Sequence, residues 1–289
     1  VAIEGSTVSR GAVRVVAFAD SGVRIECAGP DAAPLVEFLY GDLPPAGGPV
    51  ACTDLCLEAD VERGILALHG ADRRAFSASS IGDLASALLG ETMYRLSEPC
   101  RGGLLFHAAA VARNGRCLLL PAPSGSGKTT LTAWLVAKGF EYLTDELVYM
   151  PWGSNLVTPF IRPLRVKTPA MQVLASRLPH LAAADALCGT DATLLPFRAV
   201  GRAARPPEAR ISAIVFPRYE AGVPLHVGPM MKSDAGMRLM NCLINARNLP
   251  GHGFSEAVRL VRDVPISQLR YGDFNQVDEW IERMKGDGW

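Results

Sequence analysis

Residues 122–129 read Ala122-Pro123-Ser124-Gly125-Ser126-Gly127-Lys128-Thr129. An apolar run, 117–120, precedes them. A segment with helical spacing, 128–138, follows, with Leu131, Trp134 and Leu135 on one face and Gly139 as a stop. A second apolar run, 142–150, comes next. The order strand, glycine-rich loop, helix, strand predicts the crossover unit of an α/β protein with a parallel sheet. The loop fits the pattern Gly, four residues, Gly-Lys-Ser/Thr, except that small Ala122 holds the first place. Gly125 and Gly127 free the backbone to turn successive N–H groups inward as an anion cradle. The helix start adds its positive dipole end. Ser124, Gly125, Ser126, Gly127, Lys128, Thr129 and Thr130 are therefore the candidate nucleotide-binding residues. Lys128 is placed to reach the β- and γ-phosphates, and the Thr129 hydroxyl to ligate Mg²⁺. A chance Gly/Ser turn explains the glycines but not their position after an apolar strand.

A phosphate loop needs a partner acid for Mg²⁺ and a group that activates the nucleophile. Asp145-Glu146 interrupts the otherwise apolar strand 142–150, where unpaired acids are costly to bury. Successive strand residues face opposite ways, so both acids reach one metal only if the strand bends there. An exposed edge strand is the competing reading. His107 lies in the apolar strand 104–112. Taken alone, a histidine among Leu and Ala reads as a satisfied core residue.

Outward from this centre the chain divides. The runs 13–17 and 23–27 form a hairpin about Asp20-Ser21-Gly22. A helix over 32–40 ends at Gly41 and Pro44-Pro45. Strands follow at 52–57 and 64–69, then a helix over 81–96 capped by Ser80 with Asp83 in its first turn. Residues 1–100 thus read as a small α+β domain with no catalytic constellation, and 101–289 as the catalytic domain. Within the latter, Asn114-Gly115 signals a two-residue hairpin. Later strands are expected at 162–167, 211–216, 224–227 and 266–271. Helices are expected at 233–246, 254–262 and 274–284, and an exposed loop at 201–210.

Composition bounds the function. A chain of 289 residues suggests two domains at about 150 residues each. With 49% apolar and 20% charged residues, disorder as the main state is excluded. Lys plus Arg and Asp plus Glu both number 29, which argues against nucleic acid or an anionic membrane as partner. No run approaches the roughly 18 apolar residues of a membrane span. The chain opens at Val1 without a signal-peptide order of residues. Its seven cysteines are odd in number and lack Cys-x-x-Cys, so free thiols in a cytoplasmic protein are expected.

Phe106-His107-Ala108, the 121–130 stretch and Leu143-Thr144-Asp145-Glu146-Leu147 together resemble the catalytic domain of the HPr serine kinase/phosphorylase family, and its related kinases more closely. There a strand histidine precedes the phosphate loop and an acidic pair follows the loop helix. The stretches 159–167 (PFIRPLRVK), 214–219 (IVFPRY) and 264–273 (VPISQLRYGD) are similar to the same group. The resemblance spans about residues 101–275. It implies an α/β kinase domain of the HPr kinase C-terminal type behind the N-terminal α+β domain, using ATP and Mg²⁺. Lys128 would hold the phosphates and Thr129 the metal. Asp145 and Glu146 would share metal binding and general-base work, and His107 would sit beside the reacting phosphate. Glu146 stands where the HPr enzymes commonly carry Asp, and their substrate-side signature is missing. The acceptor implied is the serine of a peptide or small protein, such as a ribosomal precursor peptide, rather than HPr; a homo-oligomer fits equally.

Other groups are open to two readings. Arg162, Arg165 and Lys167 are read as sharing one strand face, for a nucleotide or an acidic acceptor, or for solvent. Arg202, Arg205 and Arg210 are read as a mobile soluble loop or a clamp. Arg218 is a weaker γ-phosphate candidate. Met230, Met231, Met237 and Met240 are read as core filler. Three rivals to the peptide kinase remain: a small-molecule kinase, a phosphorolytic enzyme, and a nucleotide-sensing module without transfer.

Overall fold

The chain begins with a twisted layer set by short alternating runs and tight turns. In the computed structural model, which describes residues 11–43, 50–70, 75–203 and 209–286, β1 (Val13–Phe18) and β2 (Ser21–Ala28) form the expected antiparallel hairpin. The helix α1 (Ala32–Tyr40) follows; Pro44-Pro45 lies outside the described residues. β3 (Cys52–Asp60) pairs with β2 in parallel, and β4 (Ile65–Gly70) and β5 (Ala75–Ser77) extend the sheet antiparallel. The helix α2 (Ile81–Ser97) closes this layer. Ser80 caps it: its Oγ accepts from the Asp83 N–H at 3.1 Å and donates to the Asp83 carboxylate at 2.7 Å.

The second layer is built on a hairpin of β6 (Gly103–Arg113) and β7 (Arg116–Pro121). Asn114 and Gly115 both have positive φ, 52° and 72°, as a two-residue hairpin turn requires. The loop 122–127 then leads into α3 (Lys128–Ala137), and Gly139 stops it at φ 96°. β8 (Glu141–Thr144) and β9 (Leu147–Pro151) follow. The continuous strand expected over 142–150 is therefore two strands, broken at Asp145-Glu146. Thr144 makes the break, its Oγ1 accepting from the N–H groups of Glu146 and Leu147, each at 3.3 Å.

The sheet is mixed rather than parallel. β6 lies between β7 and β8 and runs antiparallel to both, and β9 pairs with its first half. β10 (Leu156–Val157) pairs with a later strand. β11 (Leu164–Lys167) leads into α4 (Thr168–Arg177) and makes a separate three-stranded sheet with β12 (Leu187–Cys188) and β13 (Ala192–Leu195). β14 (Arg202–Ala203) joins the central sheet beside β8, and β15 (Ala209–Tyr219) runs parallel to β7. Arg202 pairs with Glu141 and Arg210 lies in β15, so the expected loop is strand at both ends; Arg205 with Pro206-Pro207 lies outside the described residues. β16 (His226–Pro229), α5 (Lys232–Asn241), α6 (Phe254–Asp263), β17 (Ile266–Tyr271) and α7 (Phe274–Gly286) complete the order. α5 stops well before Ala246 because the next residues dock on β6: the Ile244 N–H donates to the Leu105 carbonyl, and the His107 N–H to the Cys242 carbonyl.

Strand parity divides the core. Leu105, Ala109 and Val111 of β6 pack with α3 and the N-terminal layer, while Leu104, Phe106, Ala108 and Ala110 pack with α5 and α6. The first cluster runs unbroken from Val16 and Ile25 to Ile281. Phe18 carries it across, with its ring 4.8 Å from Phe160, and Asp20 accepts the Arg101 and Gly102 N–H groups at 2.9 and 2.8 Å. Met230 and Met240 pack on the second cluster, but Met231 and Met237 are about 70% exposed and fill no core. Among the described residues no helix is long and apolar enough to cross a membrane.

Candidate active site

The loop between β7 and α3 turns through Gly125 at φ 86° and Gly127 at φ 87°. These left-handed positions suit glycine, but for different reasons. A Cβ on Gly125 would meet nothing within 4 Å, whereas on Gly127 it would lie 2.8 Å from the Tyr219 Cβ and from the Tyr271 hydroxyl. Tyr271 also donates to the Gly127 carbonyl at 3.3 Å, and the Tyr219 N–H to the Ser126 carbonyl at 3.0 Å. β15 and β17 thus brace the loop. Gly125→Ala should cost about 1–2 kcal/mol, the left-handed penalty alone. Gly127→Ala should cost more and loosen the loop, which urea melts and ATP-binding titrations of the two variants check.

Lys128 opens α3 and is 5% exposed. Its Nζ donates to the Ala122 carbonyl at 3.3 Å, closing the loop on itself. Burial pulls the ammonium below its ordinary range, with Glu146 and Asp145 opposing. The Ser126 hydroxyl is buried without a partner among the described residues.

The bend between β8 and β9 gives the two acids different surroundings. Asp145 is fully buried; its Oδ1 accepts from the Tyr142 hydroxyl at 3.0 Å and lies 3.0 Å from an Arg162 nitrogen, while its Oδ2 has no partner. Glu146 is 28% exposed, with Oε1 3.0 Å from His107 Nε2 and Oε2 3.2 Å from the same Arg162 nitrogen. Burial opposes its ionisation, but the His107 hydrogen bond, Arg162 and Lys128 together hold it at about 2. Arg162 is buried too; burial works against its charge, and Asp145 above all restores it. Its other terminal nitrogen donates to the Pro163 carbonyl at 2.7 Å.

A cavity of about 660 Å³ gathers these groups: Ser124, Gly125, Gly127, Lys128, Thr129 and Thr130 from the loop and helix, with His107, Glu146 and Arg162 opposite. Asp145 is not on its wall. The odd parity of His107 puts it on the α3 face of β6, with Leu105 and Ala109, rather than among the core residues of the other face. The oxygen donors on the wall, Thr129 and Glu146, fit a hard divalent cation such as Mg²⁺, while Asp145, expected to share in metal binding, stands behind the wall with one unsatisfied buried oxygen. Among the described residues no group of three or more His, Cys, Asp or Glu has metal-ligand geometry.

The three cations expected on one strand face part company. Arg162 precedes β11 and is buried against the acids, because the three-residue step to Arg165 reverses parity and Pro163 intervenes. Arg165 and Lys167 lie on β11 and line the cavity, Lys167 Nζ reaching Ser124 Oγ at 3.5 Å. Arg218 is exposed beside Glu220 and off the cavity wall. The pairing of Arg162 was missed, yet two acids in an apolar strand demand a buried cation, and Arg162 after apolar Phe160-Ile161 is that cation. Neutralising its buried partner leaves Arg162 one half-exposed carboxylate. Asp145→Asn should therefore lower stability by about 3 kcal/mol, read as a lower urea midpoint at unchanged slope.

No known family and no curated protein matches this chain in sequence. Among solved structures it is similar to the Hpr(Ser) kinase/phosphatase from Coxiella burnetii, at 10% identity and a TM-score of 0.29, over 64% of this chain and 99% of that one. A likeness that shallow leaves the functional reading to the site itself.

Proposed function

We propose that the protein is an ATP- and Mg²⁺-dependent phosphotransferase that moves the γ-phosphoryl group to a hydroxyl, most plainly a serine of a peptide or small protein. The observation that carries this reading is the meeting, in one cavity, of a glycine-braced anion cradle holding Lys128 with the His107–Glu146 pair. The cradle's N–H groups and Lys128 bind and orient the phosphates. Mg²⁺ on Thr129 and Glu146, with Asp145 Oδ2 in reserve, would supply charge neutralisation at the phosphates. The acceptor oxygen forms the new bond to γ-phosphorus as the bridging β–γ oxygen bond breaks and ADP leaves. The acceptor proton passes to the Glu146–His107 pair. Asp145 is a positioning residue: through Arg162 it fixes the Glu146 carboxylate.

The test is transfer from γ-labelled ATP with Mg²⁺ into size-fractionated lysate of the source cells. Label in a discrete peptide or protein band, with wild type and not with Glu146→Gln, supports the proposal. Label confined to small molecules reassigns the acceptor to a metabolite. ATP binding without any transfer favours a sensing module and overturns it.

A further inference from the structure

The cavity wall carries two unlike groups of side chains. One is aromatic: Tyr219 and Tyr271 crowd Gly127, and the Phe274 ring lies 6.2 Å from that of Tyr271. The other is aliphatic and comes from α2, in the part of the chain whose sequence shows no catalytic group. Ser86, Leu89 and Met93 share one face of α2 by their three- and four-residue spacing, and they line the cavity opposite Val173 of α4. The buried Tyr40 hydroxyl of α1 donates to the Leu88 carbonyl at 3.5 Å and so holds α2 in place. The flat rings of a nucleoside suit the aromatic side chains beside the loop, leaving the aliphatic ones for the acceptor.

Arg165 lines the same cavity. Its side chain has no hydrogen bond or ion pair among the described residues. With Ser86 it also lines a second cavity of about 510 Å³, so the two cavities adjoin. In that second cavity Asp83 already accepts from the Thr190 N–H and hydroxyl at 2.7 and 2.9 Å, and Asp191 lies beside it. An anionic group is therefore welcome at Arg165 and repelled beyond it. The second cavity, of about 510 Å³, adds more room than one small hydroxyl compound needs.

We infer that the α2–α4 cleft with Arg165 is the acceptor subsite, and that it selects a peptide segment carrying an aliphatic side chain and a single carboxylate beside the reacting hydroxyl. This rests on the phosphotransferase reading. The test titrates the full chain with fluorescein-labelled, serine-centred peptide libraries flanked by Leu and Glu, by Leu and Lys, or by Ser and Glu. Polarisation reads peptide binding, and equilibrium dialysis reads ATP binding. The Leu/Glu library should bind tightest. Arg165→Glu should weaken it about tenfold or more and turn the preference to the Lys library, with ATP affinity unchanged. Should that variant misfold by its melting curve, Arg165→Gln carries the same comparison without the reversal. Binding indifferent to peptide charge, or a loss of ATP affinity in place of peptide affinity, overturns the inference. Failure of the phosphotransferase reading looks different: the Leu/Glu library binds as stated, yet no label from ATP enters it.

Discussion

On the phosphotransferase reading, Lys128→Ala should transfer phosphate about a thousandfold more slowly than wild type. The side chain is 5% exposed and lies in a cavity wall with Glu146 and Arg162, so water does not replace its charge when it is removed. A buried, partly desolvated ammonium interacts more strongly with phosphate oxygens than an exposed lysine does. Its loss from the fold is smaller, since within the chain Nζ makes one hydrogen bond, to the Ala122 carbonyl. That costs about 1 kcal/mol. The variant should therefore melt near wild type while its kcat/KM for ATP collapses. Steady-state kinetics beside a thermal melt separate the two effects. Wild-type rates in a folded Lys128→Ala protein would remove the loop from the mechanism.

Glu146→Gln should lower the transfer rate by about 10²- to 10⁴-fold, the range for losing a positioned acid–base group. It also leaves an acid-stability signature. Despite burial, His107, Arg162 and Lys128 hold the Glu146 carboxyl at about 2 instead of its ordinary 4.5. A carboxyl depressed in the folded state contributes stability that is fully present above pH 4.5 and is lost as pH falls through about 2. Glutamine cannot contribute it. The difference in unfolding free energy between wild type and Glu146→Gln should be level above that window and shrink within it. A constant difference across the window would mean that the His107–Glu146–Arg162 contact does not hold the charge. Asp145→Asn provides the contrast, because its main effect is on folding through the buried Arg162.

Local signals in the sequence went far. The Asn114-Gly115 turn, the Ser80 cap and the glycines at 125 and 127 are conformational requirements that few residues meet, so they point to their structures directly. The two acids inside an apolar run posed a problem that only a bend solves, and Thr144 makes that bend. What the sequence hid is non-local. Antiparallel β6 enters between β7 and β8 because a hairpin partner outcompetes the parallel neighbour, which periodicity cannot see. The shortened α5 follows from tertiary pairing of Cys242–Ile244 with β6. Arg162, three residues before Arg165, looked like a strand-face cation until the acids of β8 and β9 claimed it. Leu89 and Met93 lie in the helix expected over 81–96, and their place on the cavity wall depends on how the first layer docks.

Stoichiometry tests most directly the proposal that this cavity moves the γ-phosphoryl group of ATP to a hydroxyl. ADP and phosphoserine are quantified over a rapid-quench time course with the peptide fraction that accepts label, using wild type and Glu146→Gln in parallel. ADP and phosphoserine should rise one for one with wild type, and both should nearly vanish with the variant. ADP rising with free phosphate and no phosphoserine, or a Glu146→Gln time course matching wild type, would contradict it.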